Sequence, residues 1–176
     1  MNPFTDKQLK DAGIHGWSVI EPSAIVFSQE IRDICASNAC GNYGKKWTCP
    51  PGVGTVDECR EKCLSFEHAL VFQTVYPLED SFDFEGMMEG HRAFKGVCDR
   101  LHDLAKPALK RFWLLSNEGC EGCKTCTYPD APCRFPDKLY PAVEGLGIYV
   151  NKLAESAGLK YINGANTVTY FGMLLY

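Results

Sequence analysis

The chain has 176 residues, with 18 basic and 22 acidic side chains and a net charge of −4. That length supports one domain, residues 1–176, with a real core, and the charge balance gives no global case for a nucleic-acid partner. No apolar stretch approaches membrane-spanning length, and Met-Asn-Pro-Phe-Thr-Asp-Lys at the N-terminus has no basic start followed by an apolar run. A soluble, cytoplasmic protein without a signal peptide or membrane contact is therefore expected. Ten cysteines are many for this size, yet fewer than a disulfide-stapled miniprotein carries. In a reducing compartment, clustered cysteines read as metal ligands or redox groups.

Residues 4–13 predict a short helix ending near Gly13. Trp17 to Phe27 alternates enough for one or two short strands around Glu21-Pro22. Residues 28–54 show no long periodic pattern; with Gly41, Gly44, Pro50, Pro51, Gly52 and Gly54 they read as a loop wrapped around something. Thr55-Val-Asp-Glu58 is a capping box, in which hydroxyl and carboxylate satisfy the free amides of a helix start, so a helix is placed from about Val56 to Phe66. His68 to Tyr76 reads as a buried strand. Phe84 to Leu109 predicts a helix with apolar spacing at Met88, Phe94, Val97, Leu101 and Leu104, ended by Pro107. Arg111 to Ser116 is a second central strand, Val143 to Ala157 a helix stopped at Gly158, and Thr167 to Tyr176 a final strand. The alternation of helices and strands predicts an α/β fold: a single-domain sandwich of a small central sheet with helices, its cysteine-rich loops at a strand end. No repeat, linker or low-complexity segment interrupts it.

The chemistry concentrates after the Arg111–Ser116 strand. Cys120, Cys123 and Cys126 stand three apart, and Cys133 follows. In such a run the backbone curls around an iron–sulfur cluster so that three thiolates reach three irons, and a later cysteine takes the fourth. Gly119 and Gly122 permit the tight turns, and Pro129, Pro132 and Pro136 stiffen the return. Zinc is the alternative cofactor, but it usually takes two separated short-spaced pairs, whereas three cysteines here share one run. Disulfides or inert thiols remain a third reading.

A second group, Cys35, Cys40 and Cys49, falls within fifteen residues. Its spacing is not standard, and it lacks a fourth thiolate. Cys59 and Cys63 share one face of the predicted helix, and either can turn toward the loop. If neither does, one iron stays open and can act as a Lewis acid on a substrate. Scattered core thiols are the plain alternative, and a small buried apolar role is the plain reading of Cys98. His15, His68, His91 and His102 are dispersed and lack paired ligand spacing. Tyr43 and Trp47 either shield a cluster or simply pack. Glu144 reads as a helix N-terminal carboxylate that can also move protons, and Arg134 and Lys138 either offset cluster charge or are solvated cations. Lys45-Lys46 and Lys106…Lys110-Arg111 are local basic spots, either plain surface or a place for an anionic partner. No dinucleotide fingerprint, P-loop, nucleophile elbow or paired-carboxylate motif is present.

Two blocks together resemble a family, the predicted metal-binding proteins of bacteria and archaea grouped as domain of unknown function 2284. The first is Cys40-Gly-Asn-Tyr-Gly-Lys-Lys-Trp-Thr-Cys-Pro-Pro51, with Cys35 ahead of it. The second is Gly119-Cys120…Cys123…Cys126…Pro132-Cys133-Arg-Phe-Pro136-Asp-Lys138, followed by Pro141…Glu144…Gly147-Ile148. The family's usual Pro-Ser-Met-Glu-Ala is Pro141-Ala-Val-Glu-Gly145 here, and its pattern does not include Cys59 or Cys63. The resemblance implies a bound metal, with iron–sulfur foremost, but no particular reaction. The expectation is an iron–sulfur protein with one [4Fe–4S] cluster and room for a second, serving a redox protein partner. An open-iron enzyme and a zinc-stabilised interaction domain are the alternatives. The two cysteine groups are expected at one edge of the fold, working together.

Overall fold

A computed structural model describes residues 1–117 and 119–176. Four strands form one sheet: β1 (Gly16–Ile20), β2 (Ala69–Pro77), β3 (Trp113–Leu115) and β4 (Thr167–Leu175), in the order β1-β2-β4-β3. Every neighbouring pair is antiparallel. Since β2 and β3 both run against β4, they are parallel to each other with β4 inserted between them. The helix α4 (Phe84–Ala108) connects them, making a split β-α-β unit.

The sheet is buried on both faces. Leu70, Phe72, Leu114 and Leu174 pack against Phe94, Val97, Leu101 and Ala105 of α4 and Leu9 of α1 (Asp6–Asp11). On the other face Val71, Leu115, Phe171, Met173 and Leu175 meet Cys59 and Cys63 of α3 (Val56–Leu64) and Leu153 and Ala154 of α5 (Val150–Ser156). This makes β2 a run of apolar residues without alternation, because each side chain meets a layer of helices. The expected α/β sandwich is therefore the architecture observed. Among the described residues, no helix is long and apolar enough to cross a membrane.

Local chemistry sets the helix starts. Thr55 Oγ1 accepts from Glu58 N at 3.2 Å while Glu58 Oε2 accepts from Thr55 N at 2.7 Å, the reciprocal box expected from sequence. Thr5 and Gln8 repeat this box at α1, and Asp83 caps α4 by accepting from Gly86 N at 2.8 Å.

Two expectations are corrected. Residues 28–54 are not all loop: α2 (Gln29–Ala36) forms behind Ser28, whose hydroxyl accepts from Glu30 N at 3.2 Å. This helix buries no residue of its own, and its short stripe of Ile31, Ile34 and Cys35 is too brief to stand out from the loop that follows. The helix placed over residues 143–157 is broken. A 3-10 turn (Glu144–Leu146) ends at Gly147, whose φ of 81° is left-handed, and α5 starts afresh at Val150. Of the one or two strands expected between Trp17 and Phe27, one forms, β1; Pro22–Ala24 is a 3-10 turn and Phe27 makes a lone bridge to Ile148. Pro107 lies within the last turn of α4, one residue before its end.

Past β3 the chain is stitched to two distant segments. Ser116 N donates to Pro141 O at 2.8 Å, Val143 N to Ser116 O at 2.8 Å, and Ala142 N to Thr48 O at 3.1 Å. These bonds lay the segment around Thr48, the exit of β3 and the Pro141–Glu144 turn side by side.

Candidate metal centre

Cys120, Cys123, Cys126 and Cys133 all line one cavity of about 860 Å³. Two of their sulfurs accept backbone amides: Cys120 Sγ from Gly122 N at 3.3 Å and Cys133 Sγ from Phe135 N at 3.4 Å. Amide dipoles aimed at sulfur are among the features that tune a bound cluster. Lys45, Lys46, Lys124, Arg134 and Lys138 also line this cavity, against a single acid among the described residues, Glu121. In a chain whose net charge is −4, that is a local reversal of sign. Three of the five cations are held: Lys46 Nζ donates to Cys120 O at 2.7 Å, Arg134 to Thr125 O at 2.8 Å, and Lys138 bridges Asp99 at 3.2 Å. Trp47 packs edge-on against Tyr128 with centroids 4.8 Å apart and donates its Nε1–H to Ala131 O at 3.0 Å. Trp47 thus packs and walls the cavity at once.

Cys35, Cys40 and Cys49 line a second cavity of about 250 Å³, with Tyr43, Pro50, Gly119 and Glu144. Helix α2 delivers Cys35 in its last turn, where the Sγ–H points to Glu144 O at 3.9 Å. Burial pushes the Cys35 thiol up, and the Glu144 carboxylate and Cys40 push the same way. Burial also raises Cys49, opposed by its contact with Thr48 and reinforced by Cys40. Such thiols stay protonated on their own, so loading a metal here must release protons. The carboxylate expected near the C-terminal run instead faces this N-terminal group.

Thr48 was not singled out by sequence, and its place beside Cys49 was its only signal. It is 1% exposed. Its Oγ1 accepts from Cys120 N at 3.1 Å and lies 3.8 Å from Cys49 Sγ. One residue therefore touches a cysteine of each group, and Gly119 lines the smaller cavity while Cys120 lines the larger.

The remaining cysteines sit elsewhere. Cys59 and Cys63 face the core from α3 and line neither cavity. Cys59 Sγ donates to Val53 O at 3.3 Å and accepts from Arg32 at 3.7 Å. Burial pushes the Cys63 thiol up to about 12. Cys98 is buried under α4, where it donates to Ser116 Oγ at 3.5 Å and burial lifts it to about 11. His91 and His102 are buried among aromatic rings, and His15 Nδ1 accepts from Val75 N at 2.8 Å. All ten cysteines are free thiols.

Among the described residues, no three His, Cys, Asp or Glu side chains are drawn together tightly enough to hold a single metal ion. The cysteines of each group instead line a common cavity. No curated protein and no solved structure matches the chain. A family model described as predicted metal-binding protein (DUF2284) matches residues 18–176 and so includes both cysteine groups. The chain belongs to this DUF2284 family of predicted metal-binding proteins.

Proposed function

We propose that this chain is a cytoplasmic iron–sulfur protein that exchanges electrons with a protein partner. Cys120, Cys123, Cys126 and Cys133 would hold a [4Fe–4S] cluster, and Cys35, Cys40 and Cys49 a second metal site. The observation that carries the reading is the wall of the larger cavity, with four cysteines around one space. Zinc would need four ligands drawn to about 2.3 Å from one centre, whereas a cluster needs thiolates spread around several atoms. Ten free thiols also fit a reducing compartment.

When bound, the cluster supplies reversible electron exchange. The chain's own groups do the rest. Gly122 N–H and Phe135 N–H hold negative charge on the sulfurs of Cys120 and Cys133. The five cations offset the charge of four thiolates and present a positive rim, which steers an acidic partner toward the site. Trp47 and Tyr128 narrow the access of water. Thr48 holds the two cysteine loops in contact, which gives electrons a short protein path between them.

The test is anaerobic purification with iron, zinc and acid-labile sulfide analysis, and electron paramagnetic resonance of the reduced protein. Iron and sulfide in equal amounts are expected. Stoichiometric zinc without sulfide would refute the reading.

A further inference from the structure

The N-terminal group is one ligand short, and the fold disposes of the obvious candidates. Its cavity gathers three thiols. Cys59 and Cys63, the next cysteines in sequence, are 2% and 0% exposed, packed into the core, and do not line the cavity. Among the described residues that line the cavity, Glu144 is the one that carries a carboxylate. It lies within electrostatic reach of the Cys35 thiol.

The turn that carries Glu144 is fixed on both flanks. Val143 N donates to Ser116 O at 2.8 Å and Ala142 N to Thr48 O at 3.1 Å. Ser28 N donates to Gly147 O at 2.7 Å. Gly147 is left-handed, and a Cβ there would meet Val56 at 3.0 Å and Ser28 O at 3.1 Å. Ser28 is also the N-cap of α2, whose last turn delivers Cys35. One short bonded path therefore connects the carboxylate's backbone to the helix bearing the first thiol. Ligands on backbone held this firmly are what a preformed metal site requires.

We propose that the Glu144 carboxylate is the fourth ligand of the N-terminal site, completing a set of three thiolates and one carboxylate with Cys35, Cys40 and Cys49. This rests on the metal-site reading above. A carboxylate oxygen is a harder donor than thiolate, so it distinguishes one corner of the site from the other three. That corner is closed by the protein, which favours electron exchange over substrate binding there.

The experiment compares wild type, Glu144→Gln, Glu144→Cys and Cys63→Ser, each reconstituted anaerobically with isotopically enriched iron and sulfide. Iron per chain, Mössbauer spectra and electron paramagnetic resonance are read. Glu144→Gln is expected to lose about one iron per chain and to show the signal of an oxidised three-iron cluster, since a cluster corner without its ligand is shed. Glu144→Cys should restore the wild-type iron count, with the distinct corner gone from the Mössbauer spectrum. Cys63→Ser should match wild type. Wild-type iron count and spectrum in Glu144→Gln would overturn the proposal, as would loss of iron in Cys63→Ser. Far-ultraviolet circular dichroism reports whether each variant folds, and Glu144→Cys decides the matter if Glu144→Gln does not. If wild type binds zinc without sulfide, the iron–sulfur reading fails on its own. The variants then test the carboxylate by zinc affinity, where a drop of about tenfold or more in Glu144→Gln supports it and no change overturns it.

Discussion

The two cysteine loops share a ligand type and differ in everything around it. The C-terminal loop is wide, bordered by five cations, and two of its sulfurs already accept amide hydrogens. The N-terminal cavity is less than a third as large, faces the carboxylate of Glu144, and holds Cys49 at 5% exposure with its thiol raised by burial. Positive surroundings favour the more negative, reduced state of a cluster, and negative or dry surroundings disfavour it. The contrast teaches that spacing names a ligand set, while the neighbours decide what the set is good for. The C-terminal cavity is wide and rimmed by cations, whereas the N-terminal one is small and walled by protein.

The comparison is broken most severely by Cys126→Ser. This variant should lose the iron and sulfide of the C-terminal site, keep the N-terminal metal, and slow partner-driven reduction of that metal by an order of magnitude or more; metal analysis and stopped-flow absorbance check both. If reduction is unchanged, the two sites are independent. Thr48→Val comes next. It leaves the Cys120 amide without its acceptor, which costs about 1–3 kcal/mol, and should lower the urea midpoint of the chain while leaving the metal count intact.

Alkylation sharpens the contrast between cavity and core cysteines. In metal-free, folded protein near pH 8, iodoacetamide should label Cys40, Cys120, Cys123, Cys126 and Cys133 first, Cys35 and Cys49 more slowly because burial raises their thiols, and spare Cys63 and Cys98, which burial pushes up to about 12 and about 11. Peptide mass mapping gives the answer, and labelling of Cys98 without unfolding would contradict its core placement. The smallest effect concerns acid. Hydrogen bonds from Thr55 hold the Glu58 carboxyl below its usual range. A depressed carboxyl stabilises the fold above its unfolded value and loses that contribution as pH falls through the folded one. Glu58 caps the helix that follows the N-terminal cysteine loop, and its carboxylate packs by Gly54, whose carbonyl accepts from Arg32 of α2 at 2.7 Å. Acid should thus loosen the N-terminal loop first, and Glu58→Gln should flatten that limb of a stability–pH profile.

Much of this arrangement was legible beforehand. The Thr55–Glu58 box, the two-faced burial of β2 and the long amphipathic α4 follow from local residue chemistry, and so do both cysteine groups. Helix α2 was hidden because it buries none of its residues and precedes a Gly/Pro-rich loop. The break at Gly147 was hidden because Val143 to Ala157 keeps a helical apolar spacing across it. The side of the molecule that Glu144 faces and the linking role of Thr48 depend on hydrogen bonds between segments far apart in the chain. No local pattern encodes such partners.

The Trp47–Thr48 link also has a consequence for how the protein is made. Lys46, Trp47 and Thr48 find their partners at Cys120 and Ala131, separated from them by 74, 84 and 72 positions. During synthesis the N-terminal cysteines emerge long before the backbone that shapes their loop exists. Contacts of such long range form late, after the closure entropy of the intervening chain has been met. The N-terminal site therefore takes its final form only once the C-terminal run has left the ribosome. Delivery of a metal to the proposed N-terminal site would then be a late event in biogenesis, following completion of the second loop.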